Sequence, residues 1–539
     1  MIKEMLLWCR RHYYLLTAIL MFLSFPSYDV WFLKGFPFWA WFALVPLLVH
    51  VRTLKFKNVY ASSFITGALG IFLTYHWIGD FGNKVPGGSV VILTFVIPAL
   101  AVFFASKILA AEYLSRRFER LRPVIYPSVW IAVDGIQSIG FLAFPWTYWG
   151  YSQYTFTAFV QISSLVGIFG VTFIMVLFST VAADFARMAF SRPFSIRWIG
   201  STPSFRRLAA AVALLAVSIA YGALRLSQPV RSQVAERLKV AMVQSCIDPW
   251  EAWGSNKFMY LSELKRLTEE AMKESPDFII WSESATLELI SYSFRTGAIN
   301  PFIGEVLDLA RGNKRPLLTG EIGILEDHYG RRIHPQNNAV LISEEGEPVR
   351  TYPKIHLAPF GEWFPYERWF PFVKRITESF GASSFVPGSA PCLFELKGRR
   401  FGALICYEGI FHRLCRRYRA EGADYFINIT NLGWTHTYKG HMQGFANAIF
   451  RAVENGIWFA SAGNSGYTAL VDPMGRVTSS IPILEKGYLT GDIDFSLNRA
   501  TFYSKAGDLV LYLALAFLAA LSVAILIRKR GRAPNGPFP

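Results

Sequence analysis

Three residues, Glu283, Lys354 and Cys406, are of the types that together perform acyl transfer, and each stands at or near an expected strand end in an aromatic or apolar setting. Glu283 follows Phe278-Ile279-Ile280-Trp281, Lys354 lies in Tyr352-Pro353-Lys354-Ile355-His356-Leu357, and Cys406 ends the run from Phe401 to Ile405. Runs of that length read as buried strands, and α/β sheets open their crevices at the carboxyl ends of strands. A thiol needs a base before it can attack, and acyl transfer needs positive charge where the oxyanion develops. A carboxylate can take the thiol proton and return it to the leaving group. A lysine, with a backbone N–H such as that of Tyr407, can hold the oxyanion. Singly, a cysteine is more often a small buried hydrophobe, and a Glu or Lys a surface charge. Together, in these settings, they point to a Cys406 nucleophile, with Glu283 as base and acid and Lys354 as stabiliser.

The elements that must carry these residues fall into two kinds. Hydrophobic residues make up 53% of the 539 and charged residues only 17%, below the roughly 25% of soluble domains. The apolar excess is concentrated at 1–227 and 507–528, whereas about 238–500 reads as an ordinary globular domain. Candidate membrane spans are 13–25, 37–51, 59–79, 89–113, 123–142, 157–184, 208–226 and 507–528, judged against the ~20 apolar residues a span needs. The basic start before Tyr13 lacks a small-residue cleavage site, so the first run reads as a retained span.

The net charge of +16 comes from short loops: Lys3/Arg10/Arg11, Arg52/Lys55/Lys57, Arg116/Arg117/Arg120/Arg122, Arg187 to Arg207, and Arg528 to Arg532. Such clusters mark cytoplasmic loops; no basic stripe interleaved with aromatics is present, so nucleic-acid binding is not expected. Both termini are then inside, with about eight crossings and the globular domain outside. The expected division is 1–227 for seven spans, 228–500 for the extracytoplasmic catalytic domain, and 501–539 for the last span and a cytoplasmic tail. The aromatic stretch Phe144-Pro145-Trp146-Thr147-Tyr148-Trp149-Gly150-Tyr151-Ser152-Gln153 suits the membrane–water interface and can also line an entrance. Five cysteines without CxxC spacing suggest neither a disulfide framework nor a zinc site. In the globular domain, strands alternate with helical stretches and with hairpin-like pieces such as Asn338 to Tyr352, as in a layered α/β fold with mixed sheets.

These settings resemble the carbon–nitrogen hydrolase (nitrilase) superfamily, whose Glu–Lys–Cys triad sits on a four-layer αββα sandwich. The resemblance covers nearly the whole chain. The spans, Phe144-Pro145-Trp146, Gly150-Tyr151-Ser152-Gln153, the run from Tyr352 to Glu362, and Cys406-Tyr407-Glu408 are similar to the membrane-embedded apolipoprotein N-acyltransferase family of bacterial inner membranes. The resemblance implies that Cys406 takes an acyl chain from the sn-1 ester of a phospholipid, typically phosphatidylethanolamine. The resulting thioester then passes it to the α-amine of a diacylglyceryl-modified N-terminal Cys of an apolipoprotein. It implies supporting roles for Glu362, Tyr407 and Glu408, and a place near the substrate entrance for Trp253, with Trp250 a close competitor. No metal or cofactor is implied, and nothing calls for an obligate partner chain, so a monomer is expected. Ser282 stands where the family usually has Pro, and Cys246 where Asn is common. Asn431-Leu432-Gly433-Trp434 lacks the usual Asp and Ala, which puts a shared role for that loop in doubt. Two other readings compete: a membrane-anchored amidase of the nitrilase type acting on small amides, and a transport or receptor-like protein with a catalytically dead outer domain. The dead scaffold predicts a lost triad residue, and all three are present.

Overall fold

The computed structural model describes residues 11–80, 88–140, 143–189, 202–228, 236–326, 332–359, 361–363 and 384–530. Lys3, Arg10, most of the basic stretch from Arg187 to Arg207, Phe360, and the tail beyond Arg530 lie outside the described residues.

The catalytic half is built on strands β1 (Arg237–Gln244), β2 (Phe278–Ile280), β3 (Leu317–Glu326), β4 (Arg332–Ile342), β5 (Pro348–Pro353) and β6 (Leu393–Leu396). These are followed by β7 (Arg399–Ile405), β8 (Tyr425–Thr430), β9 (Trp458–Gly463), β10 (Thr468–Val471), β11 (Val477–Ile481) and β12 (Gly487–Asp494). They form two six-stranded sheets, β12-β1-β2-β3-β4-β5 and β11-β10-β9-β8-β7-β6. In each, three neighbouring strands are parallel (β1-β2-β3 and β7-β8-β9) and the others antiparallel, so the two sheets are near-copies in topology.

Side chains along a strand alternate between faces, and here the alternation divides two cores. Leu238, Val240, Met242, Phe278, Ile280 and Leu318 join the core between the sheets, where the Phe278 ring meets Phe401 at 5.7 Å. Their neighbours Val243, Ile279 and Leu317 pack with Leu261, Leu264, Phe302 and Ile303 from the helices Trp253–Met272 and Pro301–Asn313. Those helices have readable ends. Asn300 accepts from the Ile303 N–H with Pro301 in the first turn, a capping arrangement that satisfies an otherwise unpaired donor. On the other sheet, the helix Tyr438–Asn455 is capped by Thr437 and stopped by Gly456 in the left-handed region.

Among the described residues the expected spans fall mainly on helix, the run 123–142 only as far as Gln137. Four helical stretches among the described residues are long and apolar enough to cross a membrane: Leu93–Ser115, Ser163–Ala189, Pro203–Leu226 and Leu509–Arg528; Tyr13–Ser24 and Pro37–Val51 are shorter. Ser163–Ala189 is the bundle's centre, with 78% of its apolar window buried against 17% for each of Pro203–Leu226 and Leu509–Arg528. Basic residues gather at one end of the bundle. Arg52, Arg116 and Arg122 surround the Glu112 carboxylate, Arg122 also pairs with Asp184, and Arg528 lies over the Phe118 ring. The catalytic half binds the opposite end. Gln443 accepts from the Trp77 indole and donates to the Pro26 and Thr74 carbonyls, while Gln161 donates to the Met474 carbonyl.

One join depends on a backbone conformation only glycine adopts freely. Gly167 (φ 62°, ψ −176°) interrupts the helix Ser163–Ala189 and turns the Ile168 N–H onto the Glu454 carboxylate at 2.8 Å. A Cβ at 167 would also lie 2.4 Å from the Tyr503 ring. Gly167→Ala should therefore destabilise the protein by roughly 2–5 kcal/mol, combining backbone strain with overpacking, and lower the melting midpoint in detergent. Gly254→Ala, where a Cβ meets nothing within 4 Å, should leave the midpoint unchanged or slightly raised; equal losses from the two would contradict this account of the join.

Candidate active site

Cys406 lies directly after β7 and opens the 3-10 turn Cys406–Ile410. Its φ is +51°, a left-handed conformation that costs a non-glycine residue about 1–3 kcal/mol. Buried bonds hold it. Glu408 accepts from the Ile405 N–H (2.9 Å), the Tyr352 hydroxyl (2.7 Å), the Ile355 N–H (2.7 Å) and the His356 N–H (3.1 Å). One carboxylate thus ties the Cys406 turn in one sheet to the segment carrying Lys354 in the other. Burial pushes its carboxyl up to about 7 even with these donors.

Lys354 follows β5 directly, and its N–H donates to the Asn337 carbonyl on β4 at 2.9 Å. Its ammonium is 3.1 Å from Glu283 Oε1 and 2.8 Å from Glu362 Oε1. Burial works against the charge, but the two carboxylates more than compensate, so the lysine is held protonated well above its ordinary range. Glu283, three residues past β2, also accepts from Asn337 Nδ2 (2.8 Å) and from the Asn431 N–H just beyond β8 (2.8 Å). Glu362 accepts from Asn337 Nδ2 (2.6 Å) and the Ala358 N–H (2.7 Å). For Cys406, burial is the largest influence and the Glu283 charge adds to it; Lys354 and a hydrogen bond with Thr430 oppose. The thiol is pushed up to about 12. The resting sulfur is therefore a thiol beside a carboxylate and an ammonium, a set that can transfer a proton as the sulfur attacks.

Of the residues singled out in the sequence, Glu283, Lys354, Cys406, Glu362 and Glu408 form one network. Tyr407 faces the membrane half: its hydroxyl donates to the Ala143 carbonyl, and its ring stacks near Trp146 at 6.3 Å. Beside it lies a cavity of about 270 Å³, bounded by Gly140 and Ala143 on one side and by Ile355, His356, Tyr407 and Phe411 on the other. Trp253 is placed elsewhere, against Tyr260 and Phe302 with its indole on Glu288. Trp250, by contrast, reaches the Trp434 carbonyl in the loop after Asn431. Cys415 is fully buried, its thiol pushed up to about 12 chiefly by that burial.

Sequence reasoning missed Asn337, the Asn431 N–H and Asn464, which joins Asn431, Ser245 and Ile247 by hydrogen bonds. The signal for Asn337 was present: Gln336-Asn337-Asn338 is a polar triplet in the interior of β4, and strands are depleted in Asn.

Residues 17–181 match the family described as the apolipoprotein N-acyltransferase N-terminal domain, and residues 239–503 match carbon-nitrogen hydrolase. Among curated relatives, apolipoprotein N-acyltransferase 1 of Treponema denticola is 28% identical, covering 92% of both chains. The apolipoprotein N-acyltransferase of Geobacter metallireducens is 29% identical over 96% of both, and that of Borreliella burgdorferi 26% over 88% of both. Among solved structures, an amidase from Nesterenkonia sp. AN1 is 19% identical with a TM-score of 0.38, covering 51% of this chain and 95% of its own. Two matched regions in series and relatives aligned over nearly their full lengths lead to one conclusion: along nearly its whole length the chain is similar to apolipoprotein N-acyltransferases.

Proposed function

We propose that the protein transfers a fatty acyl chain from a phospholipid to the α-amine of the N-terminal diacylglyceryl cysteine of an apolipoprotein, through a thioester on Cys406. The observation that carries this reading is the setting of the triad. Tyr407, the residue after Cys406, and Ile355, the residue after Lys354, border an apolar cavity whose far wall is Gly140 and Ala143 of the membrane half. An amidase acting on small amides requires no such wall. A lipid ester does, because each CH2 moved into water costs about 0.8 kcal/mol.

Cys406 Sγ attacks the sn-1 ester carbonyl while Glu283 accepts the thiol proton. The oxyanion forms beside the Lys354 ammonium and the Tyr407 N–H. Its collapse breaks the carbon–oxygen bond, Glu283 gives the proton to the departing glycerol oxygen, and a lysophospholipid leaves. The α-amine then attacks the thioester carbonyl and passes a proton to Glu283, which returns it to the sulfur as the carbon–sulfur bond breaks and the amide forms. Glu362 keeps Lys354 in place, and Glu408 keeps Cys406 and Lys354 in register. Phosphatidylethanolamine is the expected donor and a single chain the working unit. We assign 1–227, 228–500 and 501–539 to the first seven spans, the catalytic domain and the last span with its tail. Eight crossings of the bacterial inner membrane, with the basic end cytoplasmic and the catalytic domain periplasmic, accord with basic residues and catalytic half sitting at opposite ends of the bundle.

Incubated with phosphatidylethanolamine and no acceptor, the wild type should gain one fatty-acyl mass, removable by neutral hydroxylamine. Cys406→Ala should gain none and lose transfer by roughly a thousandfold or more, whereas Cys415→Ala should retain nearly all of it. Free fatty acid without an adduct would favour the amidase-like reading, and equal losses from both variants would remove Cys406 from its role.

The protonation state is checked separately. Thiolate absorbance, taken as wild type minus Cys406→Ala, should show no step between about pH 6 and about pH 9, because a thiol raised to about 12 stays protonated there. A step at or below the ordinary thiol value of about 8.5 would mean that Lys354 matches or outweighs burial and Glu283.

A further inference from the structure

The cavity beside Tyr407 has one feature the acyl-transfer chemistry leaves unused. Its wall is mostly apolar, including Ile355, Leu357 and Phe411, and its Tyr407 hydroxyl is already donated to the Ala143 carbonyl. His356 also lines it. The imidazole lies flat on Phe411, with ring centroids 4.0 Å apart and planes 7° from parallel, and its backbone N–H is fixed by Glu408. Neither ring nitrogen has a hydrogen-bond partner among the described residues. Burial lowers its pKa to about 4, so at neutral pH one nitrogen is an N–H donor and the other an acceptor. His356 is partly buried, and its ring, held on an otherwise apolar wall, offers a lipid entering the cavity a hydrogen bond that an apolar side chain there could not make.

We propose that His356 is a substrate-binding residue that donates a hydrogen bond from its neutral ring to a glyceryl ester carbonyl of a lipid substrate. The proposal rests on the acyl-transfer reading. In the phospholipid donor, the sn-1 carbonyl is the one attacked, which leaves the sn-2 carbonyl for His356, two residues along from Lys354. The diacylglyceryl group of the acceptor carries the same chemistry. His356 therefore recognises the ester-linked glycerol rather than the head group or the chain.

His356→Phe keeps the stack on Phe411 and removes both nitrogens, whereas His356→Gln restores an N–H donor. Adduct formation is followed against phosphatidylethanolamine concentration, and transfer from the preformed adduct against a synthetic diacylglyceryl peptide. The Phe variant should raise the half-saturating concentration of one lipid about tenfold, with the limiting rate within about threefold of wild type, and Gln should recover part of it. A rise in the first assay places the bond on the donor, and a rise in the second places it on the acceptor. If the bond is on the donor, a phospholipid with an sn-2 ether should bind wild type as weakly as the ester binds the Phe variant, without further loss in that variant. This arm needs only wild type if the Phe variant fails to fold. Unchanged half-saturation in both assays, or a fall in limiting rate alone, overturns the role of His356. Absence of any adduct on wild type overturns the acyl-transfer reading instead.

Discussion

Lys354 is 1% exposed, and an ammonium persists there only because Glu283 and Glu362 both face it. Taking a charge out of water carries a penalty of several kcal/mol, so the site is organised around offsetting it. Asn337 reaches both carboxylates with one amide nitrogen, giving two like charges a shared donor on top of the shared cation. Two negative groups around one positive leave the pocket's balance negative, and this decides the state of the sulfur. Burial and Glu283 together outweigh the lysine, and Cys406 rests as a thiol. A resting thiol is inert to adventitious oxidants and electrophiles, which attack thiolates. On the proposed mechanism its proton leaves during the attack itself, to a carboxylate already fixed by Asn337 and Asn431.

The geometry that makes this possible comes from two sheets of the same topology meeting at the ends of their parallel strands. Glu283 comes from one sheet and Cys406 from the other, and the Asn431 N–H reaches from the end of β8 to Glu283. Glu408 adds a second link, fully buried and accepting from both sides of the seam. Its contribution is twofold, since Oε1 holds the Lys354 segment while Oε2 accepts from the Ile405 N–H and holds the turn in which Cys406 adopts its strained φ. Strain at the nucleophile is maintained by bonds formed two residues away.

Much of this was legible in the chain. The apolar runs ending at Trp281 and Ile405 announced strands, as did the hairpin-like piece from Asn338 to Tyr352, and each candidate catalytic residue stands within three residues of a strand end. Helix positions followed from length and hydropathy, because a bilayer imposes a single coarse requirement on span length. The supporting contacts were not legible, for physical reasons. The Asn431 contribution is a backbone N–H, which carries no residue signature, so a loop whose side chains depart from the family pattern still delivers its donor. Asn464 acts by joining segments more than 200 residues apart, and only the folded topology brings those together. Trp253 and Trp250 illustrate the same limit: three positions apart in sequence, they point to different layers, and the helix beginning at Trp253 turns its indole towards Glu288.

The join between the halves bears on the chemistry as directly as the triad does. The helix Tyr438–Asn455 is held by Gln443 and Glu454 at two places along its length, so the catalytic half is fixed to the bundle by buried polar bonds. Such bonds are costly to leave half-made. Tyr407 adds a third point of attachment one residue from the nucleophile. The position of Cys406 relative to the helical bundle is consequently set by the fold itself. On the proposed reaction, a lipid whose chains stay in apolar surroundings presents its ester at that height, beside the cavity shared by Tyr407 and Ala143. Binding energy from the chains can then be used to place the ester against the sulfur, instead of being lost in bringing the lipid through water.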